Sequence, residues 1–220
     1  MKEAALIVFD IDGTLFQTEL VTVPAVQRTF AAHGLPVPDA EKICSFFGRP
    51  NEEYLDWLAS MCSPERAREI VDDTNRLELE LVAQEGRLYD GARGVLETLK
   101  AEGYRLGVCS IGPEDYVDAF LDGHQVRSFF DIVRTRGLRY DGKTEMLRDI
   151  IAVVRAQEVI MIGDRHDDVL AAHASGALAL ATCYGFGARH ELHDADARVN
   201  SIAEIPEAVR GLLAKARRPL

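Results

Sequence analysis

Short apolar runs that end at or near a polar residue recur along the chain. They occupy residues 4–9, 104–110, 158–164 and 178–183, and residues 131–135 form a weaker fifth run. Continuous apolar runs of this length are typical of strands that are covered on both faces of a parallel sheet. We therefore predict a buried parallel sheet built from these segments.

Helical patterns lie between the predicted strands. Apolar residues recur at helical spacing over residues 92–99 and 146–154, and residues 167–175 form a third predicted helix that ends at Gly176. Alternation of strands and helices predicts an α/β fold. We expect a Rossmann-like open parallel sheet flanked by helices.

Residues 18–87 have a different pattern, because they contain no convincing strand. Helical patterns continue through this stretch and break at residues 34–38, 48–50 and 63–64, where Gly, Pro and Ser accumulate. We predict a helical insertion over residues 18–87, and a core domain made of residues 1–17 and 88–220.

Charge and cysteine content narrow the classes of function. The chain of 220 residues has 36 acidic and 25 basic residues and a net charge of −11. This balance argues against a dedicated nucleic-acid or anionic-membrane binder, since either needs a surplus of Lys and Arg at the contact. The four cysteines form no CxxC pair, and we expect reduced thiols and a cytoplasmic location. We expect neither a signal peptide nor a membrane span, and the sequence leaves open whether the protein is a monomer or a homodimer.

Polar residues that could take part in catalysis lie at the ends of the predicted strands and at the start of one predicted helix. Asp10 and Asp12 come after the first strand, Ser110 ends the second, Asp164 ends a later one, and Lys143 opens a helix. Ligands of open parallel sheets bind beyond the carboxyl ends of the strands. We therefore expect these side chains to converge on one crevice.

The residue types in this crevice suit phosphoryl transfer. Mg²⁺ prefers a few carboxylate ligands, which Asp10 and Asp164 can supply. Lys143 can balance the charge of the nucleophile and of the transferring group. A carboxylate such as Asp10 can attack phosphorus to form an aspartyl-phosphate, with Asp12 as the general acid and base.

Four motifs in this order resemble the haloacid dehalogenase superfamily. The segment FDIDGTLF is similar to its first motif, Ser110 to the second, Lys143 to the third, and GDRHDD at residues 163–168 to the fourth. The segment YGFGARHEL, at residues 184–192, resembles the phosphoglycolate-phosphatase-like branch. This resemblance implies a phosphatase, and it implies that residues 18–87 form an inserted α-helical cap domain.

The resemblance also implies roles for single residues. Asp10 would be the nucleophile, and Asp10, the backbone carbonyl of Asp12, and Asp164 would hold Mg²⁺. Asp168 would not bind the metal directly. It would contact either the waters bound to the metal or Lys143. Asp12 argues against a dehalogenase, because that reaction does not need an acid at this position.

Substrate contacts are predicted at the second motif and in the insertion. Ser110, Lys143 and the amide of Ile111 would contact the phosphate. The branch often has Asn where this chain has Ile111, so contacts to the leaving group are expected to differ from those of its relatives. Arg49 is a candidate for an anionic group of the substrate, because a guanidinium binds oxyanions in a fork geometry.

The expected activity is the hydrolysis of a small phosphate ester, and other functions remain open at this point. A phosphosugar mutase would transfer the phosphoryl group to a sugar hydroxyl. A phosphonate hydrolase would need a lysine in the cap for a Schiff base, and residues 18–87 offer Lys42 alone. A phospho-ligand-binding protein without catalysis would have lost at least one of these charged groups. The physiological substrate is not determined by this pattern, since specificity is expected to reside in the cap.

Overall fold

The computed structural model describes residues 4–137 and 139–217. Within these ranges six parallel strands form one sheet in the order β3-β2-β1-β4-β5-β6. The strands are β1 (Leu6–Phe9), β2 (Arg105–Ser110), β3 (Ile132–Thr135), β4 (Val159–Gly163), β5 (Leu178–Thr182) and β6 (Ala197–Val199). The predicted open parallel α/β sheet is confirmed.

All five predicted strands are present, each within two residues of the expected bounds at either end. The sixth strand, β6, was not predicted. It has three residues, lies at the edge of the sheet, and exposes Arg198. Such a segment has no apolar run that could identify it in the sequence, because only Val199 is buried.

Helices cover both faces of the sheet. They are α1 (Glu19–Ala32), α2 (Ala40–Cys44), α3 (Asn51–Ser60), α4 (Pro64–Gln84), α5 (Ala92–Ala101), α6 (Glu114–Gly123), α7 (Lys143–Val154), α8 (His166–Ala174) and α9 (Ile205–Ala216). The three helices predicted after residue 88 correspond to α5, α7 and α8.

Side chains of β1 alternate between two apolar clusters. Ile7 and Phe9 belong to the cluster that includes residues of α5, α6 and α9. Leu6 and Val8 belong to the cluster on the opposite face, which includes residues of α7 and α8. Since successive side chains of a strand point to opposite faces, a strand buried on both must be apolar throughout.

Residues 18–87 contain α1 to α4 and no strand, as predicted. The breaks expected at residues 34–38, 48–50 and 63–64 fall at the junctions between these helices. The helices share an apolar cluster that includes Phe30, Ile43, Leu58 and Ile70. We call this unit the helical insertion; its role as a cap and its boundaries, like those of the core domain, stay predictions. Residues 1–3, 138 and 218–220 of the predicted core domain lie outside the described ranges.

Strand β1 lies between β2 and β4, so its carboxyl end has a neighbouring strand on each side. This topology brings the residues after β1, β2 and β4 to one edge of the sheet. None of the helices in the described ranges is long and apolar enough to cross a membrane.

Candidate active site

Asp10 follows β1 at the centre of the sheet edge. Its backbone amide donates to the carbonyl of Ile162 at 2.8 Å, so the parallel ladder continues to the carboxylate itself. The side chain is 4% exposed. A carboxylate held this deeply needs positive partners, because burial without them is costly.

Lys143 provides one such partner. Its Nζ lies 2.6 Å from Asp10 Oδ2 and 2.6 Å from Asp168 Oδ1, and all three residues are buried. Burial alone would lower the pKa of Lys143, but the two carboxylates outweigh it and raise the pKa well above its ordinary value. Lys143 therefore carries a permanent positive charge between two acids. As predicted from the sequence, it is the first residue of a helix, α7.

Asp164 follows β4 and is fully buried. Its Oδ2 accepts from the amides of Phe186 and Gly187, at 2.6 and 3.3 Å. Its Oδ1 has no hydrogen-bond partner among the described residues. Burial and the neighbouring carboxylate of Asp168 raise the pKa of Asp164 to about 7.

The loop after β5 approaches Asp164 closely, and glycine makes this approach achievable. A Cβ at Gly187 would lie 1.7 Å from the backbone oxygen of Asp164, and one at Gly185 would lie 2.4 Å from its Cβ. Gly13, at φ +71°, approaches from the other side, since a Cβ there would lie 2.4 Å from Asp164 Oδ2. Three backbones thus enclose a carboxylate that is left with one unpaired oxygen.

These acids form a donor set that fits a divalent cation. Oxygens from Asp10, Asp164 and Asp168 all lie within 4.8 Å of one another. A hard cation prefers carboxylate oxygens, and it would satisfy the unpaired Oδ1 of Asp164. It would also relieve the repulsion that raises the pKa of Asp164.

Asp12 lies two residues beyond Asp10 and is held by two donors. The hydroxyls of Thr18 and Tyr116 both donate to Oδ1, at 2.6 and 2.7 Å. Burial raises the pKa of Asp12, and the two hydrogen bonds oppose that rise. Because both donors use Oδ1, the other oxygen remains available to a ligand.

A cavity of about 180 Å³ opens in front of Asp12, between the sheet edge and the helical insertion. From the core it is bordered by Asp12, Ile111, Asp115 and Tyr116, and from the insertion by Arg49, Asn51, Tyr54, Asn75 and Glu78, among others. Two predicted contacts, Ile111 and Arg49, thus border it. The volume suits a small metabolite rather than a polymer.

Ser110 and Arg49 are placed differently within this region. Ser110, the last residue of β2, is fully buried, and its Oγ accepts from the amide of Gly112 at 3.1 Å. Arg49 is half exposed at the cavity rim, and its Nη1 lies 3.8 Å from Glu53. Their predicted phosphate and substrate contacts stay predictions.

The sequence patterns missed the residues that hold the acids. Tyr116 belongs to a buried apolar face of α6, where nothing distinguishes it from an ordinary core residue. Thr18 carried no separate signal. The two glycines of the segment YGFG did carry one, since paired glycines often mark a close approach of the backbone.

The sequence matches the model of a known protein family and is similar to several known proteins. The sequence model of the haloacid dehalogenase-like hydrolases matches residues 7–182. A 5'-nucleotidase from Pseudomonas aeruginosa is 29% identical over 202 residues, which cover 87% of this chain and 90% of that protein. A phosphoglycolate phosphatase from Caulobacter vibrioides is 28% identical, with 98% of this chain and 94% of that protein covered.

The fold recurs among solved structures. A hydrolase of the haloacid dehalogenase-like family from Streptococcus pneumoniae superposes with a TM-score of 0.80 at 24% identity. The superposition covers 94% of this chain and 98% of that one, so the helical insertion has a counterpart there as well as most of the sheet.

Proposed function

Since this chain belongs to the haloacid dehalogenase-like hydrolase family, we propose that it is a Mg²⁺-dependent phosphatase that hydrolyses a small phosphomonoester. One observation carries this proposal. Asp10, Lys143 and Asp164 are buried together at the sheet edge, and Asp12 faces an adjoining cavity. The family relationship expected from the four motifs is confirmed.

In the proposed reaction Asp10 is the nucleophile. One of its oxygens attacks phosphorus, the bond from phosphorus to the ester oxygen breaks, and an aspartyl-phosphate forms. Lys143 Nζ, 2.6 Å from Asp10 Oδ2, balances the negative charge that accumulates on the carboxylate and phosphoryl oxygens. The amide of Ile111 and the hydroxyl of Ser110 are proposed to hold those oxygens.

Asp12 moves the proton in both steps. Its raised pKa favours the protonated form that donates to the departing alkoxide. The carboxylate that remains then takes a proton from water, which attacks phosphorus and releases Asp10 and inorganic phosphate. Thr18 and Tyr116 fix the orientation of Asp12 during both transfers.

The residues proposed to hold Mg²⁺ are Asp10, Asp164 and the backbone carbonyl of Asp12. The bound ion would neutralise charge on the transferring phosphoryl group. Asp168 contacts Lys143 and the amide of Arg165, so it is proposed to orient the lysine rather than to bind the metal directly.

The alternatives from the sequence have less support. Lys42, the one lysine of the insertion, is exposed and lies over the rings of Phe46 and Trp57, so it does not border the cavity as a Schiff-base lysine would. The charged groups that a non-catalytic binder would have lost are all in place. The names of the relatives favour hydrolysis of small phosphate esters. The cytoplasmic location stays a prediction.

Release of phosphate from p-nitrophenyl phosphate, with Mg²⁺ and with EDTA, tests this proposal. Asp10→Asn should lose at least about 10³-fold in kcat, since it removes the nucleophile. Asp167→Asn is the matched control, because Asp167 is an exposed acid beside Asp168. Full activity of Asp10→Asn, or turnover that EDTA does not affect, would contradict the mechanism. Isomerisation of a sugar phosphate without release of phosphate would identify a mutase instead.

A further inference from the structure

The wall of the cavity that belongs to the helical insertion contains a partly buried acid that the proposed chemistry does not use. Glu78 of α4 borders the cavity and accepts a short hydrogen bond from the hydroxyl of Thr22 on α1. A carboxylate offers about four acceptor positions on two oxygens, so Thr22 leaves acceptor capacity unused. Burial raises the pKa of Glu78 to about 7. Above that pH Glu78 is a carboxylate, and it presents acceptors rather than a donor to a molecule in the cavity.

Tyr54 borders the same cavity from α3. The residue is 8% exposed, and its hydroxyl is buried without a hydrogen-bond partner among the described residues. Buried hydroxyls are normally paired, because an unpaired one loses its hydrogen bonds to water. An unpaired hydroxyl at a cavity wall indicates that a ligand supplies the missing partner.

The charge around this wall is negative. Asp115 borders the cavity in addition to Glu78, and Arg49 is the single basic residue among those that line it. The Arg49 guanidinium is half exposed at the rim and lies within 3.8 Å of Glu53. A second anionic group on the substrate would therefore meet more acids than bases beyond the phosphate position.

We propose that Glu78 and Tyr54 form a subsite for a leaving group that carries hydroxyl groups and no carboxylate, such as the polyol or sugar part of a monophosphate. This inference rests on the phosphatase function proposed above. A substrate hydroxyl donates to Glu78 and pairs with the hydroxyl of Tyr54, while Asn75 on α4 can both donate and accept beside them. Carboxylate-bearing esters are disfavoured, although a relative carries the name phosphoglycolate phosphatase.

Two small esters that differ mainly in one group test the subsite. Phosphoglycolate has a carboxylate where 2-hydroxyethyl phosphate has a hydroxymethyl group, and p-nitrophenyl phosphate reports the basal chemistry. At pH 8, where Glu78 is ionised, we expect kcat/KM for 2-hydroxyethyl phosphate to exceed that for phosphoglycolate at least about ten-fold. Glu78→Gln should bring the two within about three-fold while the aryl ester is still hydrolysed, since it removes the charge and keeps the shape.

Tyr54→Phe provides a second, independent variant. It should lower kcat/KM for 2-hydroxyethyl phosphate about ten-fold, mainly through KM, and have a smaller effect, below about three-fold, on p-nitrophenyl phosphate, whose aryl group has no hydroxyl to pair with Tyr54. Glu80→Gln is the matched control, because Glu80 is an exposed acid on the same helix and does not border the cavity. This control should leave the ratio of the two substrates unchanged.

The outcomes separate the subsite from the phosphatase function. If p-nitrophenyl phosphate is hydrolysed but phosphoglycolate equals or exceeds 2-hydroxyethyl phosphate, the subsite is overturned and the phosphatase function stands. A Glu78-dependent preference for 2-aminoethyl phosphate over 2-hydroxyethyl phosphate would overturn the hydroxyl assignment. Absence of phosphate release from every ester would overturn both proposals.

Discussion

Replacing Glu78 with glutamine should stabilise the protein, by an amount that grows with pH. Burial raises the pKa of this carboxyl from 4.5 to about 7, against the opposing hydrogen bond from Thr22. Between pH 4.5 and about pH 7 the carboxyl therefore keeps its proton in the folded state, whereas the unfolded chain has already lost it. As pH rises through this window, the wild-type protein loses stability. A glutamine side chain does not titrate, so the variant avoids this loss.

The size of the effect follows from the pKa. A rise from 4.5 to about 7 corresponds to roughly 3 kcal/mol of folding free energy, since one pKa unit is worth about 1.4 kcal/mol. This figure is an upper bound, because the carboxyl borders a cavity that water can enter. The difference in free energy of unfolding between Glu78→Gln and wild type should increase by about 1–3 kcal/mol from pH 5 to pH 8. Above pH 8 this difference should be constant.

Urea unfolding of both proteins at pH 5, 6, 7 and 8 measures this difference directly. Glu80→Gln, on the same helix but exposed, should show a difference from wild type that stays within about 0.5 kcal/mol at each pH. A Glu78→Gln difference that is flat across this range, or that shrinks with rising pH, would refute the assignment of a raised pKa to this partly buried carboxyl.

Three further variants test the buried acids and their supports. Lys143→Met leaves two buried carboxylates without their cation and should lower the free energy of unfolding in urea by about 3–5 kcal/mol. Lys100→Met breaks a more exposed ion pair and should lower it by less than about 1 kcal/mol. Equal losses in the two variants would contradict the argument from burial. Tyr116→Phe removes one of two donors to Asp12 and should lower kcat about ten-fold with KM unchanged, whereas an unchanged kcat would remove Tyr116 from the mechanism. Gly187→Ala should lower the free energy of unfolding by about 1–3 kcal/mol, since its Cβ would meet backbone 1.7 Å away; a neutral result would show that the loop relaxes freely.

The placement of Asp10, Lys143 and Asp164 could be expected from the sequence because it depends on topology alone. Parallel strands bring their carboxyl ends to one edge, whatever the details of packing. Asp10 and Lys143 are 133 positions apart in sequence, yet their side chains meet at 2.6 Å. Asp10 and Asp164 each follow an apolar run, and Lys143 opens a helix between two predicted strands. These local patterns were enough to predict a common crevice.

The groups that donate hydrogen bonds to Asp12 and Asp164 could not be predicted in the same way. Tyr116 lies 104 positions from Asp12 and looks in sequence like any other buried residue of an amphipathic helix. The amide of Phe186 contacts Asp164 through backbone geometry, which leaves no signature in the identity of the side chain. These contacts depend on how loops and helices pack, and similar sequences pack in several ways.

The alternation of strands and helices, the family, the acids at the strand ends and the lysine that opens α7 could all be inferred from the sequence, because each rests on periodicity or on a short motif. The chemistry of the cavity wall depends instead on the tertiary structure. Glu78 belongs to a segment for which the sequence predicted only a helix. It borders the cavity and accepts from Thr22 of α1, 56 positions away. Tyr54 reaches the same wall from α3. The polarity of such a surface depends on which helical faces meet, and that is set by packing among segments distant in the chain.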